Sequence, residues 1–144
     1  MTTRSRQYAT GLSLLAVAFF CRVLGQALVA FYDIRFLPPM DAWYSGLVPY
    51  PVLLPIQIVI LVLQAKISAD LWRDAGFFAV RRPRVGRLLC WFSFFYFAAM
   101  LLRYILTMAL YPEQRWLGGS IPIFFHWVLA AYLFLLGRFQ SMRI

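Results

Sequence analysis

Four apolar segments, each about twenty residues long and set apart by arginine-bearing stretches, decide what this chain can become. They cover residues 12–32, 51–71, 88–110 and 120–139. As helices rising 1.5 Å per residue, each reaches across the roughly 30 Å hydrocarbon core of a bilayer. With 63% hydrophobic and 13% charged residues, the chain lacks the polar surface to face water on all sides. These features predict an all-α membrane protein, a four-transmembrane-helix bundle forming one domain over residues 1–144. Arg4 and Arg6 ahead of the apolar run 12–20 imitate a signal peptide. No small-x-small cleavage site follows, so the segment is expected to stay as the first span.

The net charge of +9 could suggest nucleic acid, but the layout argues for topology instead. Arg4 and Arg6 precede the first span, and Arg73, Arg81, Arg82, Arg84 and Arg87 fill the middle loop. Arg138 and Arg143 end the chain. The other two loops balance Arg35 with Asp33 and Asp41, and Arg115 with Glu113. The positive-inside bias predicts both termini and the middle loop on the cytoplasmic side, N-in and C-in, in the plasma (cell inner) membrane as a multi-pass protein. The middle loop has two readings. It is either a plain topology determinant or a short interfacial helix. In the second, Leu71, Trp72, Phe77 and Phe78 dip among headgroups while Arg73, Arg81, Arg82 and Arg84 meet lipid phosphates.

The two outer loops share a pattern: Pro39-x3-Trp43-x2-Gly46-x2-Pro49 and Pro112-x3-Trp116-x2-Gly119-x2-Pro122, at a constant offset of 73 residues. Two tandem helical hairpins of common origin explain it. Convergent loop chemistry explains it equally well, since proline starts helices, glycine permits tight turns and tryptophan prefers the interface.

Polar groups inside a membrane are expensive and usually face the protein interior. Here they fall on coherent helical faces: Arg22, Gln26 and Asp33; Gln57, Gln64 and Ser68; Tyr96, Arg103 and Thr107; Pro122, His126, Ala130 and Gly137. Gln26, Gln57, Arg103 and His126 each lie roughly 9–11 Å inside the outer end of their span. Arg22 lies about one turn deeper. Facing inward, these side chains form one polar layer containing two permanent cations and no carboxylate, which either locks the helices together by mutual hydrogen bonds or serves as a ligand or transport site. Lys66 points away from the Gln57 face and is placed to snorkel toward the cytoplasmic surface.

The catalytic repertoire is thin. One His, two Cys without a C-x-x-C pair and no acid at the level of the His leave no catalytic set and no metal site. Cys21 and Cys90 read as small buried hydrophobes. A proton-coupled exporter of cations needs a membrane-embedded carboxylate, and no span carries one in its core. The cofactor, if any, is left unnamed.

The expectation is therefore a binding protein for an amphiphile with an oxygen-rich head, a quinone or an anionic lipid. Arg22, Gln26, Gln57, Arg103 and His126 are its ligand-binding candidates, and Phe94, Phe95, Phe124, Phe125 and Trp127 would pack the apolar part. It would act alone, as a homo-oligomer or as an accessory subunit of a membrane complex, without nucleic acid. Two alternatives stay open: a small oligomeric anion transporter or channel, and a non-catalytic subunit of a membrane redox or transferase enzyme.

Overall fold

A computed structural model describes residues 2–32, 49–110 and 121–142, the side chains of residues 121 and 122 excepted. Four helices make up the described chain: α1 (Thr3–Tyr32), α2 (Tyr50–Arg73), α3 (Pro83–Leu110) and α4 (Ile121–Ser141). Each is long and apolar enough to cross a membrane. Their 30, 24, 28 and 21 residues correspond to about 45, 36, 42 and 32 Å of helix. The helices run past the expected apolar segments mainly at the arginine-rich end, where α1 starts nine residues and α3 five residues earlier than residues 12 and 88. The loop pattern built on Trp43 and Trp116 falls largely outside the described residues.

The ends follow local chemistry. Thr2 caps α1, its Oγ1 accepting from the Ser5 amide at 3.1 Å. Proline opens both α2 and α3, where a missing N–H costs nothing. Asp74 closes α2 in the left-handed region at φ 52°, and the Ala75 amide donates back to the Asp70 carbonyl at 3.1 Å.

Neighbouring helices lie in the order α2, α1, α4, α3, so that among the described residues α3 packs only on α4 and α2 packs only on α1 along their backbones. The tightest seam is α3 on α4. A Cβ on Gly137 would meet the Gly86 carbonyl oxygen at 2.8 Å and the Cys90 amide nitrogen at 2.9 Å. Two glycines facing each other let the backbones touch, which is how helices associate where lipid removes the hydrophobic drive.

Apolar side chains point outward along much of the surface, Leu88, Phe95 and Val59 among them. The buried core is small and sits at the arginine-rich end. Ala9 and Leu12 of α1 meet Ile67 and Leu71 of α2 and Tyr132, Leu136 and Phe139 of α4 there.

Candidate functional site

The polar residues expected at one level resolve into two separate pairs. Between α1 and α2, Gln57 Nε2 donates to Gln26 Oε1 at 3.3 Å. Gln26 is wholly buried and Gln57 nearly so. Between α3 and α4, the Tyr96 hydroxyl and His126 Nδ1 are hydrogen-bonded. Their rings meet edge-on with centroids 5.6 Å apart. The layer divides because, among the described residues, the backbone of α3 packs only on α4 and that of α2 only on α1.

Arg22 lies between the pairs. It is buried, one turn from Gln26, and its guanidinium carbon lies 5.9 Å from the Phe125 ring centroid of α4. Tyr50 at the start of α2 is within electrostatic reach of it. Arg103 lies two turns along α3 from Tyr96 on the same face and is half-buried. Among the described residues its guanidinium has no hydrogen-bond or ion-pair partner. Arg22 and Arg103 both act electrostatically on His126. The five expected residues therefore gather as one buried amide pair, one buried cation and a half-buried His126–Arg103 set completed by Tyr96.

The aromatic candidates divide as well. Phe94, Phe95 and Phe124 face outward, while Phe125 and Trp127 are half-buried. Trp127 packs against Phe97 and Tyr104 of α3 at 5.7 and 5.6 Å. Its indole Nε1 is buried with no partner among the described residues.

In the tautomer where Tyr96 donates to Nδ1, the imidazole carries its proton on Nε2 and offers a second donor. Arg103 adds five N–H groups in a fixed fork. The α3–α4 pair thus presents a surplus of donors and few acceptors, and what it can do is hold an oxygen-rich group. Further along α2, the Gln64 amide oxygen, the Ser68 hydroxyl and the Tyr132 hydroxyl of α4 are buried. Ser68 and Tyr132 approach each other without completing a hydrogen bond.

At the arginine-rich end the structure adds residues that sequence reasoning passed over. Residues 74–82 form turns and bends, so the interfacial helix considered for the middle loop is not there. Asp70 is the reason. Its buried carboxylate accepts from Lys66 Nζ at 2.7 Å and from the Phe78 amide at 3.2 Å, folding the loop back on the helix end. Gly76, at φ 106°, passes so close that a Cβ would lie 2.6 Å from that carboxyl group. Gln140 of α4 clamps the far side, its Oε1 accepting from the Arg82 amide at 2.9 Å and its Nε2 donating to the Phe78 carbonyl at 2.7 Å. Leu71 and Phe78 consequently pack on the core instead of dipping outward. Trp72 remains half-exposed and donates to Ser13 Oγ at 3.0 Å. Lys66 is exposed and pairs with Asp70 one turn on. The i, i+4 spacing of Lys66 and Asp70 was the signal available in the sequence.

No protein family, curated protein or solved structure matches this chain.

Proposed function

We propose that the protein binds an amphiphile with an oxygen-rich head, a quinone or a lipid, against the α3–α4 pair within the membrane. The observation that carries this reading is the contrast between the two polar pairs. Gln26 and Gln57 are fully withdrawn between α1 and α2 and joined by one hydrogen bond, with Gln26 Nε2 and Gln57 Oε1 left without a partner among the described residues. Tyr96, His126 and Arg103 are half-buried and rich in donors that the described protein leaves unused. A carbonyl, hydroxyl or phosphate oxygen matches that surplus, and Arg22 supplies positive charge behind it. Gln26 and Gln57 then serve mainly to lock α1 to α2, holding Arg22 in place.

In this proposal both termini and the 74–82 loop face the cytoplasm, following the arginine asymmetry, and the membrane is the plasma membrane. The two halves of the chain are tandem hairpins. The protein serves as an accessory subunit or a small carrier of its amphiphile, without catalysis of its own.

Native mass spectrometry of the full chain, purified in mild detergent, tests the reading. One retained quinone or lipid is expected, lost in His126→Leu and kept in Gln26→Leu. No retained amphiphile, or retention indifferent to His126→Leu, would sink it. Anion flux through liposomes carrying the purified protein, abolished by Arg103→Met, would favour the transporter alternative instead.

A further inference from the structure

A cavity of about 990 Å³ lies at the arginine-rich end, away from the Tyr96–His126 pair. Its lining comes from three separate parts of the chain: Thr2 and Arg4 at the start of α1, Asp74 and Arg81 in the 74–82 loop, Arg138 and Ser141 at the end of α4. We propose that this basin, with Arg4, Arg81 and Arg138 converging on it, is a binding site for a phosphate-bearing headgroup.

The basin is a built feature. A loop that only fixed topology would need arginines and no particular shape. This loop is pinned on both sides, by the Asp70 carboxylate and by the Gln140 amide. Arg81 is also positioned. Its guanidinium donates to Ser5 Oγ at 3.0 Å and lies 5.4 Å from the Phe139 ring centroid. A guanidinium held by stacking and a hydrogen bond loses little freedom on binding. Arg4 and Arg138 reach the cavity from two helix ends brought side by side by the core around Ala9, Leu12 and Phe139.

The chemistry favours phosphate. Three guanidiniums approach from three elements, which suits a tetrahedral group with several charged oxygens. The volume exceeds what a bare phosphate ion fills and falls in the range of small-molecule sites. The ends of helices that cross a bilayer also lie at headgroup depth, where anionic lipids present phosphates.

The test uses the full chain in detergent, with phosphatidylglycerol as probe, diacylglycerol of the same acyl chains as the phosphate-free control, and inorganic phosphate as competitor. Arg4→Gln/Arg138→Gln is compared with Arg84→Gln/Arg87→Gln, which removes equal charge from exposed positions outside the basin. Each measurement is repeated with Arg103→Met added, so that lipid held at the α3–α4 pair is not counted. Retention of phosphatidylglycerol should fall about tenfold or more in the first pair and less than about twofold in the second. Diacylglycerol should not be retained. Displacement by millimolar inorganic phosphate would support the site and name free phosphate as its source. Failure of inorganic phosphate to displace the lipid would support it as a headgroup site. Equal loss in the two double variants, or equal retention of diacylglycerol, would overturn the proposal.

Discussion

Gln57 hands a hydrogen of its side-chain amide to the side-chain oxygen of Gln26 across the α1–α2 seam, at 3.3 Å, with both residues withdrawn from the surface. Leucine at position 26 alone leaves the Gln57 amide buried with nothing to bond, at a cost of about 1–3 kcal/mol. Leucine at both positions removes the orphan and restores apolar packing. The double variant should therefore unfold nearer to wild type than Gln26→Leu does. Unfolding of the four proteins in mixed micelles, read as a double-mutant cycle, checks this, and strictly additive losses would show that the amides act independently.

The proposed orientation makes a sharper demand. Reporter fusions at Met1, near Arg82 and at Ile144 should read cytoplasmic, and fusions near Trp43 and Trp116 exterior. An exterior reading at Arg82 is incompatible with four spans whose arginine-rich ends lie together.

Helix number and the helical faces were legible because they depend on composition and periodicity, which act locally. The placement of Arg22, Gln26 and Gln57 away from the surface follows directly from their spacing. What the periodicity could not carry was which helix each face meets. Four faces pointing inward imply one layer only if all four helices surround one axis. Glycines 86 and 137 instead draw α3 onto α4, and the layer splits into a Gln–Gln pair and a Tyr–His pair. The loop fold was hidden for a related reason. Asp70 and Gln140 are 70 residues apart, and each acts on the backbone of a third segment.

That third segment gives a prediction of its own. Gln140→Leu strips the loop of two hydrogen bonds, at Arg82 N and at the Phe78 carbonyl. Losing about 1–2 kcal/mol of local stability raises the open fraction about 5- to 30-fold. Trypsin cleavage after Arg81 should accelerate accordingly when opening is fast relative to cutting. An unchanged cleavage rate would mean that Asp70 alone holds the loop closed.

Arg103 decides between locking and binding. Its half-buried guanidinium has no partner among the described residues, and Arg103→Met removes that charge. Methionine keeps much of the length and supplies apolar volume, and such exchanges of a buried charge are often neutral or stabilising. The empty variant should keep its melting temperature or gain a little. Ligand stabilisation behaves differently, because it follows occupancy as RT ln(1 + [L]/Kd), about 2.7 kcal/mol at a hundredfold excess over Kd. If Arg103 faces the head of the amphiphile, that increment disappears in the variant while the baseline stands. If Arg103 is instead a structural tie, its loss leaves a partner unpaired and lowers stability by about 1–3 kcal/mol whether or not ligand is present. The measurement is the melting temperature of wild type and Arg103→Met, each delipidated and each with added quinone or anionic lipid. Loss confined to the supplemented samples is the expected result, and equal loss in every condition would reject the binding role of the α3–α4 pair.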